Sequence, residues 1–413
     1  MASNTVLLTN IHTLYQTRSG ISGPIRGKEL SQLPSIEKAY LWIKEGIISE
    51  FGPMSESPQI SVNTIDCQGK SVLPAWCDSH SHIVYAGSRE NEFVDKIHGL
   101  SYEEIAKRGG GILNSAAKLR LSSEDELYNQ AIERLHEVIG YGTGALEIKS
   151  GYGLTKESEL KMLRVIKRLK ESTDCLIKSS FLAAHSVPPE FKNNREAYVD
   201  HIINDMLPEV ADEGLADYMD VFCDRGFFTP ADTDKLLEAG WKYGLKPKIH
   251  ANELDFSGGV QTGVKHNAVS VDHLECVDDP EIKALLHSNT MPTLLPTTAF
   301  FLKLEYAPAR KMIDAGLPVA IATDYNPGSS PSGKMSFVIS LSCIYMKMLP
   351  EEAINAATIN GAYAMELERS HGMIAKGMAG NVIITKNIPS LAYLPYSFGS
   401  ELIDKVILKG NIQ

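Results

Sequence analysis

The stretch Leu73-Pro74-Ala75-Trp76-Cys77-Asp78-Ser79-His80-Ser81-His82 is an apolar run that ends in two histidines separated by one residue. In an extended backbone, residues i and i+2 point to the same side, so His80 and His82 can reach one metal ion together. Alone, the pair could equally be an exposed turn. Its context points to a metal: the residues before Asp78 read as a buried strand, and polar residues gather at its C-terminal end, where α/β sheets keep their active sites.

Working outward, residues 71 to 375 alternate short β-branched runs with amphipathic helices, the pattern of parallel strands with crossover helices. Eight strands are expected, ending near His80, Lys149, His185, Cys223, His250, His273, Leu295 and Asp324. Between them, Ser122 to Ile139 and Lys156 to Glu171 carry apolar residues at helical spacing. Eight strand-helix units suggest an α/β protein with a TIM-like (β/α)8 barrel, and a doubly wound open sheet is the alternative. Residues 1–70 and 376–413 are rich in short apolar runs such as Thr5-Val6-Leu7-Leu8 and Lys405-Val406-Ile407-Leu408. Neither end has enough strands for a stable sheet alone. They are expected to form together a small β-sandwich domain beside the barrel, re-entered through the Gly-rich passage from Gly372 to Gly380.

The polar residues at the strand ends carry the chemistry. Ile249-His250-Ala251-Asn252-Glu253 places a carboxylate three residues after a histidine, Asp272-His273-Leu274-Glu275 ends another strand in a histidine, and Ala322-Thr323-Asp324 ends the last in an aspartate. A barrel gathers these ends around one mouth. His80, His82, His250 and Asp324 then supply three imidazoles and a carboxylate, a ligand set suited to zinc or a similar ion with a position left for water. Taken singly, each is as well read as a satisfied core or surface group.

Bulk properties narrow the partners. The 413 residues include 43% apolar and 22% charged side chains, with a net charge of -11. That balance argues against nucleic acid or an anionic membrane as a partner, because both select basic patches. The N-terminus shows no basic start with a long apolar core, and no apolar run is long enough for a membrane span. Six scattered cysteines (Cys67, Cys77, Cys175, Cys223, Cys276 and Cys343) include no Cys-x-x-Cys pair. They suit reduced thiols, and hence the cytoplasm.

In order along the chain, His-x-His on the first strand, His after the fifth and Asp after the eighth resemble the amidohydrolase superfamily. The resemblance is carried further by His80 to Phe93, Gly109-Gly110-Gly111-Ile112, Glu147 to Leu154, Ala183-Ala184-His185, His250 to Glu253, Asp272 to Glu275 and Thr323 to Ser329. These motifs are most similar to the branch that opens the cyclic amide of an imidazolone ring bearing a propionate tail, in histidine degradation. The resemblance implies one metal ion per subunit, zinc or iron, a small-molecule substrate and a homodimer. It places Arg89, Tyr102, Tyr152, His185, Glu253, Asn326, Gly328 and Ser329 at the substrate, with Arg89 taking the propionate through a two-pronged contact. Asp324 is expected to take the proton of the attacking water, His273 to orient the nucleophile and stabilise the oxyanion, and Glu253 to hold or deliver a proton at the ring nitrogen. Binuclear members carry a lysine at the end of the fourth strand. Here that end reads Asp220-Val221-Phe222-Cys223-Asp224, so a single metal is expected, and Lys149, on the second strand, is read as an ion-paired structural residue. Gly109-Gly110-Gly111 has no Lys-Ser/Thr sequel for a phosphate loop and is expected to be a tight loop over the mouth. Two rivals stand beside this reading: another single-metal amidohydrolase such as a heterocycle aminohydrolase, and a catalytically silent barrel.

Overall fold

A computed structural model describes residues 4–20, 23–100, 104 and 110–413. Tyr102 and Gly109 lie outside them.

The chain opens with β1 (Val6–Tyr15), β2 (Ser35–Lys44), β3 (Ile47–Pro53), β4 (Asn63–Asp66) and β5 (Val72–Pro74). The eight strands that follow, β6 (Trp76–Asp78), β7 (Thr143–Lys149), β8 (Leu176–Ala184), β9 (Tyr218–Cys223), β10 (Lys246–Ala251), β11 (Ser270–His273), β12 (Met291–Leu294) and β13 (Ala320–Ile321), pair in that order, each parallel to the next. Past the strand ends the first and last meet: Ser81 bridges Tyr325 in parallel, Asp324 N–H donates to His80 O at 2.9 Å, and His82 N–H donates to Tyr325 O at 2.9 Å. The sheet is therefore a barrel rather than an open, doubly wound sheet. The chain finishes with β14 (Val382–Thr385), β15 (Ile403–Leu408) and β16 (Asn411–Ile412), which continue a second, mixed sheet in the order β16-β15-β14-β5-β1-β2-β3, with β4 on β1. Both termini thus share one sheet.

The opening stretch divides where a single strand was expected. Val72–Pro74 pairs with β1 and β14 in the terminal sheet, whereas Trp76–Asp78 pairs with β7 in the barrel. At the crossing Ala75 N–H donates to Asn381 O and Trp76 N–H to Gly142 O. Both halves are buried on both faces, so an apolar pattern has no polar residue to mark the switch.

Helices cover the barrel. The one expected from Ser122 spans Glu124–Gly140, and its start is set by a capping box in which Ser123 and Glu126 satisfy each other's backbone N–H groups. Leu127, Ala131, Leu135 and Val138 line its buried face. Lys156–Glu171 is as expected and buries Leu160, Leu163, Ile166 and Leu169. Among the described residues no helix is long and apolar enough to cross a membrane, and no cysteine is paired.

Barrel interiors are ordinarily filled by branched apolar side chains. This one instead holds Glu147, Lys149, Asp220, Lys248 and Asp272, all fully buried. The two-residue period places Lys149 above Glu147 and His250 above Lys248 on one face of each strand, so a layer of charge underlies the mouth.

Candidate active site

His80 and His82 follow β6, His250 lies in β10, and Asp324 follows β13. Their donors converge. His80 Nε2 and His82 Nε2 are 3.3 Å apart, and each lies 3.4–3.5 Å from Asp324 Oδ1. His80, His82 and His250 offer ligand atoms that all fall within 4.8 Å of one another.

Each orientation has a cause. His80 Nδ1–H donates to Asp272 Oδ2 at 2.7 Å and His250 Nδ1–H to Asp220 Oδ1 at 3.0 Å, which leaves both Nε2 lone pairs facing inward. His82 has no such carboxylate and is held by stacking on His185, with ring centroids 5.5 Å apart and planes 17° from parallel. Thr298 Oγ1–H donates to Asp324 Oδ2 at 2.5 Å and frees Oδ1. Burial, reinforced by Lys149 near His80 and by His185 near His82, lowers the pKa of both imidazoles and keeps them neutral.

These residues fit a cation. His250 Nε2 is buried without a hydrogen-bond partner, and a cluster of inward lone pairs and one carboxylate oxygen attracts a positive ion. Donors about 2.0–2.2 Å from a common centre at tetrahedral angles stand about 3.3–3.6 Å apart, which matches the spacings among His80 Nε2, His82 Nε2 and Asp324 Oδ1.

Beside the cradle, His273 Nε2 faces Glu253 Oε2 at 3.7 Å and His273 Nδ1 faces Glu275 Oε2 at 3.7 Å. Burial works against charge on His273, but the carboxylates of Glu253, Glu275 and Asp324 push it up to about 10. Burial pushes Glu253 up to about 7, with His273 opposing. Several non-glycine residues at this mouth adopt left-handed backbone: Asn252 (φ 57°), His273 (86°), Leu274 (68°) and Asp324 (51°). That conformation costs about 1–2 kcal/mol per residue, and such strain concentrates at functional sites.

A pocket of about 380 Å³ opens over the cradle, lined by Arg89, Lys96, Tyr152, His185, Phe222, Phe227, Glu253, Asn326, Gly328 and Ser329 among others. Beneath it, a chamber of about 40 Å³ shares Tyr152, His185, Glu253, Asn326 and Ser329 and reaches His82, His250, His273 and Asp324. Arg89 Nε–H and Nη2–H both donate to Glu92 Oε2, at 2.9 and 2.7 Å, and Glu92 Oε1 accepts from Gly111 N–H at 2.9 Å. The other terminal nitrogen, Nη1, lies against Gly328. His185 Nδ1–H donates to Gly151 O at 3.1 Å, and burial lowers its pKa to about 3, so its Nε2 is an acceptor. The Asn326 amide is engaged within its own loop: Oδ1 accepts from Gly328 N–H and Ser329 N–H, and Nδ2–H donates to Asp324 O.

Of the metal, catalytic and substrate residues singled out in the sequence, all but Tyr102 are described, and they surround one mouth. Sequence reasoning missed the roles of Asp220 and Asp272, the carboxylates behind His250 and His80, together with Thr298, Phe222, Phe227 and Lys96. The available signal for the two aspartates was an acid inside an otherwise largely apolar strand, in Tyr218-Met219-Asp220-Val221-Phe222 and Val269-Ser270-Val271-Asp272.

A closed parallel barrel with His-x-His after its first strand, a histidine on the fifth and an aspartate after the eighth defines a metal-dependent hydrolase. The amidohydrolase family matches residues 71–412, and the chain belongs to that family. Within it the chain falls among the imidazolonepropionases. The protein of that name from Christiangramia forsetii is 56% identical over 409 residues, covering 99% of this chain and 100% of its own. That from Geobacillus kaustophilus is 41% identical over 397 residues, covering 95% and 93%. In fold, a triazine hydrolase variant superposes with a TM-score of 0.77 at 15% identity, covering 99% of this chain and 94% of that one. A guanine deaminase from C. acetobutylicum gives 0.72 at 16%, covering 99% of both.

Proposed function

We propose that this site adds water to the ring carbonyl of 4-imidazolone-5-propanoate and opens the cyclic amide to N-formimidoyl-L-glutamate, a step of histidine degradation. The observation that carries the reading is the pairing of a three-histidine, one-aspartate cradle with a pocket that contains a half-buried arginine. A lactam needs an activated water, and a propionate tail needs a cation.

A divalent cation held by His80, His82, His250 and Asp324 would lower the pKa of water toward neutrality and polarise the carbonyl. Asp324, with Oδ2 held by Thr298 and approached by Ser329 Oγ at 3.3 Å, receives the water proton on its carboxylate. His273, kept protonated by its flanking carboxylates, stabilises the negative charge that grows on the carbonyl oxygen. Glu253, with its pKa near 7, delivers a proton to the ring nitrogen as the carbon–nitrogen bond breaks. Arg89 binds the propionate, and His185 Nε2 accepts from a ring N–H. The Tyr152 hydroxyl, whose pKa burial raises, stays a donor.

The donor set accommodates zinc or iron. We take one ion per subunit, since the fourth strand ends at Cys223 without a lysine. A homodimer and a cytoplasmic setting complete the proposal, the latter supported by cysteines that are all free.

The test is turnover of freshly generated 4-imidazolone-5-propanoate before and after metal removal, with N-formimidoyl-L-glutamate assayed. Metal-dependent product formation is expected. No turnover by fully metallated protein would discard the substrate and turn attention to other cyclic amides and aminated heterocycles.

A further inference from the structure

Lys149 ends β7 inside the barrel, fully buried, with its ammonium among three carboxylates. Nζ lies 2.5 Å from Glu147 Oε1, 2.7 Å from Asp220 Oδ2 and 3.6 Å from Asp272 Oδ2. Two of these carboxylates are the ones that hold metal-cradle histidines: Asp220 accepts from His250 and Asp272 from His80. The third has other partners, since Glu147 also pairs with Lys248 and accepts from Ser180 Oγ–H at 2.6 Å. Removing the ammonium therefore leaves Glu147 partnered but deprives both aspartates of their shared cation. The Lys149 backbone N–H also donates at 2.9 Å to Ser81 O, the carbonyl between His80 and His82.

We propose that Lys149 is a positioning residue that couples the two sides of the metal cradle: one ammonium fixes Asp220 and Asp272 together, and through them the ring orientation of His250 and His80. The cradle then forms as a unit: the two histidines come from different strands of the barrel, and their rings meet edge-on with centroids 4.5 Å apart, a contact less directional than the hydrogen bonds from Asp272 and Asp220 that aim each ring. A lysine that merely neutralises buried charge would have no such dependence. The inference rests on the reading of these histidines as metal ligands.

The test uses the full chain with cobalt(II) as probe, its affinity measured by chelator competition and its site geometry by the visible ligand-field spectrum. Lys149→Met is expected to weaken cobalt binding about 10- to 100-fold and to alter the spectrum, as changes behind metal ligands do. The effects of Asp220→Asn and Asp272→Asn on affinity are expected to be non-additive with Lys149 present and additive in the Lys149→Met background. A Lys149→Met protein that melts earlier yet binds cobalt with unchanged affinity and spectrum would overturn the proposal. If that variant does not fold, the Asp220→Asn and Asp272→Asn cycle in the Lys149 background decides: fold-changes that simply multiply reject the coupling, and a clear departure supports it. An unaltered chain that binds no cobalt would reject the metal reading itself, and the proposal with it.

Discussion

The Arg89 guanidinium occupies the space that a Cβ on residue 328 would fill. Gly328 does not have a positive φ, so its constraint is purely steric. With two of its nitrogens on Glu92, Arg89 has one free edge, and the bare backbone at 328 sets where that edge lies. Gly328→Ala should displace the guanidinium and weaken recognition of the propionate. A charge-assisted hydrogen bond is worth about 1.5–3 kcal/mol, so KM should rise by about 10- to 100-fold with kcat changed much less. Steady-state kinetics check this, and an unmoved KM would separate Arg89 from the substrate tail.

His250→Ala removes an inward lone pair and leaves Asp220 beside an empty space. The variant should retain its fold and lose bound metal and turnover together. Metal analysis of the purified protein, compared with the unaltered chain stripped by a chelator and reloaded, measures both. Activity that returns on reloading the original but not the variant is expected. Full metal content in His250→Ala would remove this residue from the ligand set.

Glu253 is half-buried beside His273 and pairs with that ring rather than with the converging donors, so Glu253→Gln should leave metal content unchanged. What it loses is a carboxyl whose pKa lies near 7, suited to carrying a proton at neutral pH. Loss of a general acid lowers turnover by about 10²–10⁴-fold. Unchanged kcat would exclude it from proton transfer.

Glu159, fully buried, accepts from three backbone N–H groups, Gly151 at 3.0 Å and Gly153 and Leu154 at 2.8 Å. Those bonds shape the turn that presents Tyr152 to the pocket. Glu159→Gln replaces one acceptor with an amide N–H aimed at donors. Such a mismatch costs about 1–3 kcal/mol, so the melting temperature should fall and KM rise, while metal affinity stays. A variant with wild-type KM would show that the turn holds Tyr152 without Glu159.

The barrel and most of its mouth were legible because strand ends announce themselves: His80, His250, His273 and Asp324 each terminate an apolar run. Two features were not. The passage from β5 to β6 shows no polar break because Val72 to Asp78 is buried in both sheets, and pairing partners 300 residues away, such as Ile383, decide where one sheet ends. The charged layer was equally hidden. Asp220, Asp272 and Lys149 look individually like core anomalies, and only the closing of the barrel reveals that the lysine touches the acids that aim the histidines. Asn326 illustrates a third difficulty: it lines the pocket, the place its motif suggested, and its amide also closes its own loop, a use that depends on the local turn.

His371 provides a pH dependence away from the cradle. It is 7% exposed, its Nε2 has no partner, and its Nδ1 lies 2.8 Å from Ser370 Oγ. Burial, with a smaller contribution from Lys409, lowers its pKa from 6.5 to about 4. Between those values the unfolded chain binds the proton and the folded chain does not, so stability falls as pH drops from about 6.5 to about 4 and is unaffected by this group above that window. The loss from this one group reaches about 3 kcal/mol at the acid end. His371→Gln keeps a polar partner for Ser370 and removes the titration. The fall in melting temperature between pH 7 and pH 4.5 should therefore be smaller in the variant than in the unaltered chain, both carrying metal. Equal falls would mean that His371 is not buried in its neutral form.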